Sequence, residues 1–165
     1  MTEPIHIWTS AAYHSAFRCG GWAWVRSGAG PLAGAAGGER YTTARRMALA
    51  GLVSALGDLA KTSGPIAIQT TSPELAALAG LLTGKAVRTD DDADEDLDLL
   101  AKIAAATAGR SVTNKRVARE PRDPTALSGA WADLAMDKAK ATGAFSSAIP
   151  KTNLAKVQGL PLPAR

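Results

Sequence analysis

Cysteine is all but missing from this chain: Cys19 stands alone among 165 residues. A single thiol excludes a disulfide framework and a zinc ribbon or knuckle, both of which need several sulfur ligands. Histidine is nearly as scarce, and His6 and His14 read as surface or packing residues. Long apolar runs are absent too. No stretch approaches the roughly 18 apolar residues that cross a bilayer, and the N-terminus lacks a basic-then-apolar leader. A membrane partner is therefore not expected, and a cytoplasmic location is. Aromatic residues make up 5% of the chain, and Trp8, Trp22, Trp24 and Trp131 read as sheet and core packing rather than as stacking platforms.

What is present suits one domain large enough to close its own core. The net charge of +4 comes from 19 Lys+Arg against 15 Asp+Glu, a mild excess that admits nucleic acid without requiring it. The charge is unevenly distributed. Residues 1–84 carry +2, residues 85–109 carry −4 and residues 110–165 carry +6.

Alternation of Ile5 and Ile7 with His6 and Trp8 predicts a strand over Pro4–Ser10, and Gly20–Val25 predicts a second. A third, blurred by glycines, is expected between Leu32 and Tyr41. Short connections make these three an antiparallel meander, because a parallel pair would need a long crossover. The period then shifts to 3.6: Leu49, Leu52, Val53, Leu56 and Leu59 share one helical face, with Thr42 or Thr43 as N-cap. Ile66 to Thr70 predicts a fourth strand. Ser72-Pro73-Glu74 is a strong helix start, with a capping hydroxyl, proline at the first position and an acid in the first turn. That helix should carry Leu75, Leu78 and Leu81 or Leu82, and stop at Gly84.

Seven acids lie between Asp90 and Asp98 and read as the N-terminal cap of a helix through Leu99, Leu100 and Ile103 to Gly109. Metal binding is the sharper alternative for them. A fifth strand is expected within Ser111–Ala118. A last helix should place Leu127, Trp131 and Leu134 on one face. The expected boundaries are a folded domain over residues 1–144 and an extended or mobile proline-containing tail over 145–165. The order β-β-β-α-β-α-α-β-α gives an α/β fold, a mixed five-stranded sheet with helices on both faces.

Several strings in this order resemble the ribonuclease H family of the bacterial type. They are Ile7-Trp8-Thr9-Ser10-Ala11 then Gly20-Gly21-Trp22-Ala23, Thr42-Thr43-Ala44-Arg45-Arg46-Met47-Ala48-Leu49, Thr70-Thr71-Ser72, and Trp131-Ala132-Asp133-Leu134-Ala135. The resemblance runs over roughly residues 4 to 142. It implies cleavage of the RNA strand of an RNA–DNA hybrid by two Mg²⁺ ions held by four carboxylates. Two such ions about 4 Å apart repel each other unless their cage is strongly negative. At the family's four acidic positions this chain has Ser10, Ala48, Thr71 and Ala132. A one-residue shift of the last helix would restore a single acid, Asp133. Glu120 stands where the family has a histidine.

The resemblance thus implies a ribonuclease H-like domain that has lost two-metal hydrolysis, needs no metal or cofactor, and acts by binding. One alternative is an active Mg²⁺-dependent hybrid nuclease with a site rebuilt around Asp133 and Glu120. Another is a protein–protein adaptor using the acidic stretch and the tail. The Thr42-Thr43 turn implies a phosphate pocket, with Thr43, Arg45 and Arg46 as candidates. Lys115, Arg116, Arg119 and Arg122 form a basic patch suited to weak, salt-dependent binding of hybrid or duplex. The loop Ala11–Phe17 lacks the family's asparagine and glycines.

Overall fold

The computed structural model describes residues 4–28, 30–57, 59, 62, 64–76, 96–119 and 123–156. The expected meander is present. Strands β1 (Ile5–His14), β2 (Cys19–Ser27) and β3 (Ala33–Arg40) pair antiparallel in sequence order. Helix α1 (Ala44–Leu56) follows, and β4 (Ile66–Thr70) returns parallel to β1. After α2 (Pro73–Ala76) and α3 (Leu97–Thr107), β5 (Val112–Arg116) lies parallel to β4 at the sheet edge.

Local signals account for these boundaries. The hydroxyl of Thr43 accepts the Arg46 N–H at 3.0 Å and caps α1. Ser72 does the same for α2, accepting the Leu75 N–H at 3.2 Å while donating to Glu74. The continuation of α2 through Leu78 and Leu81 or Leu82 to Gly84 lies outside the described residues, as do residues 90–95 of the acidic stretch.

Each face of the sheet has its own core. On one face, Ile5, Ile7, Trp22, Trp24, Ile66 and Ile68 pack under Met47, Leu49, Leu52 and Leu56 of α1, joined by Leu99 and Ile103 of α3. The other face is covered by α4 (Pro124–Thr142), whose N-cap is Asp123 with proline at the first helical position. That helix differs from expectation. Leu127 and Trp131 are half-buried against Trp8 and Val25, but Leu134 is 58% exposed. The buried stripe is Ser128, Ala132, Ala135 and Ala139, and its small side chains bring the helix backbone down onto the sheet.

The strand count also needs correction. The first residues of the expected tail form β6 (Phe145–Ala148), which pairs antiparallel with β3, so the sheet has six strands in the order β5-β4-β1-β2-β3-β6. The short helix α5 (Lys151–Leu154) follows, and Ile149 and Leu154 are buried against Trp8 and Val25. The sheet domain therefore runs past residue 144 to at least residue 156. Residues 157–165 lie outside the described set.

Arg46 fastens α1 to α3. Its guanidinium reaches Asp96 at 3.1 Å, Asp98 at 3.0 Å and Glu39 at 3.5 Å. The hydrogen bond from Arg46 holds the Asp98 carboxyl below the usual carboxylate range. A group with a depressed folded-state pKa stabilises the fold above its unfolded value, near 3.9 for aspartate, and loses that contribution as pH falls through the folded value. The urea midpoint of the parent chain should therefore drop more steeply below about pH 4 than that of Asp98→Asn. Parallel acid curves for the two would show that the clamp contributes nothing.

Candidate functional site

The parallel β1–β4 ladder ends at the pair Thr9–Thr70. One residue further on, the Thr71 N–H still donates to the Thr9 carbonyl at 3.2 Å, which brings the Thr71 side chain up to Ser10. The Thr71 hydroxyl donates to Ser10 Oγ at 3.0 Å, and Ser10 Oγ lies 2.8 Å from Ser128 Oγ of α4. Ser128 also donates to the Thr125 carbonyl at 3.3 Å. Each hydroxyl has one proton, so the bonds run in one direction, from Thr71 to Ser10 to Ser128 to the helix backbone. Ser10 and Ser128 are buried. A separate pair lies alongside, where Thr9 donates to Thr70 Oγ1 at 2.9 Å.

Of the four positions implied by the resemblance, the structure joins Ser10 and Thr71 directly. The third partner is Ser128, one helical turn before Ala132. Ala132 instead packs with Ala23, Ala36 and Ala135, and Ala48 is buried in the apolar cluster under α1. Asp133 is exposed and pairs with Arg119 at 3.3 Å; Glu120 lies outside the described residues. Sequence reasoning missed Ser128, although a signal was available. Ser128 belongs to the small-residue stripe that faces the sheet, whereas the A-D-x-L-A string fixes only the later turn.

A protein usually holds a magnesium ion through one or two carboxylates, with water or phosphate oxygens completing its shell. The side chains converging here are neutral hydroxyls whose protons are committed to one another and to the helix backbone. Among the described residues, no group of three or more His, Cys, Asp or Glu is placed to hold a metal. These donors do not fit a pair of divalent cations.

The cationic candidates fall into two groups. Lys115 and Arg116 are exposed on the edge strand β5. Arg46 is committed to three acids and Arg119 to Asp133, so their charge is largely neutralised in place. Arg45 is half-buried with an interaction of its own, and Arg122 lies outside the described residues. Thr43 acts as the helix cap, while the buried hydroxyl of the adjacent Thr42 has no partner among the described residues.

No protein-family model and no curated protein matches the chain at the level of sequence. Solved structures do match. The N-terminal ribonuclease H domain of a Mycobacterium tuberculosis protein, solved as a fusion with maltose-binding protein, superposes with a TM-score of 0.65 at 19% identity, covering 84% of this chain and 97% of that one. The ribonuclease H1 designated LC11, in complex with an RNA/DNA hybrid, gives 0.62 at 19% identity over 82% and 98%. Ribonuclease H1 of the halophilic archaeon Halobacterium salinarum gives 0.54 at 21% identity over 82% and 99%. The fold is that of ribonuclease H.

Proposed function

We propose that this ribonuclease H fold binds nucleic acid and does not hydrolyse it by a two-metal mechanism. The observation that supports the reading is the Thr71–Ser10–Ser128 hydroxyl chain, which holds neutral hydroxyls at Ser10 and Thr71, two of the four positions where the resemblance implies carboxylates. Without that negative charge, only a bound phosphate would offset the mutual repulsion of two Mg²⁺ ions.

Binding is supported by exposed Lys115 and Arg116 on β5 and by the hybrid-bound structure with the same fold. Such contacts neutralise phosphates and release counterions, so affinity falls steeply with salt and depends little on sequence. The test is a pair of assays on the purified chain. With labelled RNA–DNA hybrid and Mg²⁺ or Mn²⁺, no cleavage above background is expected. In binding, hybrid should be held at low salt, released as salt rises, and held more weakly by Lys115→Ala/Arg116→Ala. Metal-dependent cleavage that disappears in Asp133→Asn would overturn the loss of hydrolysis. Absence of hybrid binding at low salt would remove the basic edge as an interface.

A further inference from the structure

Among the described residues, three that are not glycine have left-handed backbones: Arg18 (φ 50°), Tyr41 (φ 54°) and Asp96 (φ 64°). Left-handed geometry is costly for a bulky side chain, and outliers of this kind collect at sites of function. Arg18 and Tyr41 occupy turns that face each other. Cys19 pairs with Arg40 in the β2–β3 ladder, and the Thr42 N–H donates to the Arg18 carbonyl at 3.1 Å across the gap. The strain does not serve burial. Arg18 is exposed and Tyr41 is 84% exposed.

A second ring lies beside them. Phe17, in the same turn as Arg18, is 55% exposed, with the Lys140 ammonium 3.7 Å from its ring centroid. The Arg40 guanidinium donates to the Lys140 carbonyl, tying the end of α4 to these turns. This end of the sheet thus presents two exposed aromatic rings, Tyr41 and Phe17, the latter also packed against the His14 ring at 4.8 Å, near Arg18, Arg40 and Lys140; the neighbouring acids are Asp137 on α4 and Glu39, which pairs with Arg46.

We infer that this patch is a docking surface for an unpaired nucleic-acid strand. Cations accompany a phosphate backbone, and exposed rings stack on bases whose faces are open, as they are not within a duplex. Charge complementarity favours this occupant over a protein segment, because the patch offers cations beside exposed aromatic rings. The surface involves neither the hydroxyl chain nor β5. It rests on the nucleic-acid reading above, but with a preference for single strands over hybrid.

The test measures anisotropy of labelled oligo-dT and oligo-U, with an RNA–DNA hybrid in parallel, on the full chain. Tyr41→Ala and Phe17→Ala should each weaken single-strand binding by about tenfold and leave hybrid binding unchanged. Lys115→Ala/Arg116→Ala should do the reverse, so the two readings can fail separately. Tyr41→Gly serves as the folding control. Glycine suits φ 54°, so this variant should melt no lower than the parent and still lose single-strand affinity. The inference is overturned if the parent chain binds no single strand at low salt, or if Tyr41→Ala and Tyr41→Gly bind it as tightly as the parent.

Discussion

Gly21→Ala should destabilise the fold by about 3 kcal/mol or more, at the upper end of what overpacking a core costs. A Cβ at Gly21 would clash with the Ala132 carbonyl oxygen and the Met136 nitrogen. Both are backbone atoms of α4, so no side-chain rotation relieves the clash and the helix itself must rise off the sheet. That movement would open the alanine cluster of Ala23, Ala36, Ala132 and Ala135. It would also stretch the Ser10–Ser128 bond that ties α4 to β1. Gly57→Ala is the matched control. Gly57 has helical φ −57° and ψ −35° at the end of α1, and a Cβ there meets nothing closer than 3.4 Å. It should be neutral or stabilising by a few tenths of a kcal/mol, up to about 1. Urea melts of the two variants decide the matter. Similar midpoints for Gly21→Ala and the parent would show that α4 does not pack on β2 as closely as described.

This contact explains what the sequence revealed and what it concealed. Ile5 and Ile7, Ile66 and Ile68, and the leucines of α1 bury large side chains at regular intervals, and such intervals are visible in a sequence. The α4 contact lacks that signal because it depends on small groups. Alanine and glycine contribute little to an apolar pattern, so Leu134, which is exposed, reads as part of the buried face beside Leu127 and Trp131, which do pack inward. The clue was the spacing of Ser128, Ala132, Ala135 and Ala139 against Gly21 and Gly38 on the strands. Strand β6 escaped for another reason. It is four residues long and carries Ser146 and Ser147, and it pairs with β3 through backbone hydrogen bonds that any side chain permits. Burial of Ile149 and Leu154 then anchors what composition alone suggested was tail.

The candidate site was legible in outline for a different reason. Ser10 lies within β1 one residue past its last pair with β4, and Thr71 directly follows β4; the resemblance names both positions together. Ser128 comes from a helix whose rotation depends on the alanine contact just described. The strings that carried the resemblance fixed helix α4 by its A-D-x-L-A turn, and the side chain that meets Ser10 lies a full turn earlier. Charge was harder to read. Arg46 looked like a phosphate ligand beside the helix N-terminus until its partners were visible, and two of the three, Asp96 and Asp98, lie about fifty residues away in the sequence.

Ser10→Asp is the second substitution expected to have a large effect, and it tests why these positions are neutral. Ser10 is 3% exposed, and its only described side-chain partners are the hydroxyls of Thr71 and Ser128. A carboxylate there has, among its described partners, hydroxyl donors and no opposite charge, and leaving a buried charge uncompensated costs about 3 kcal/mol or more. Burial disfavours the charged form, so the folded-state pKa of the new aspartate should rise above its unfolded value near 3.9. The sign of the pH dependence follows. The variant should lie closest to the parent below about pH 4 and lose stability as pH rises above it, until the folded pKa is passed. Ser10→Asn, of nearly the same shape and always neutral, should show no such slope, which separates charge from crowding. Added Mg²⁺ should leave the Ser10→Asp midpoint unchanged, because one carboxylate among hydroxyls does not displace the water that Mg²⁺ holds. Magnesium-dependent recovery of that variant would mean that further anionic ligands reach this point from outside the described residues. The reading of this place as unable to hold a divalent cation would then give way.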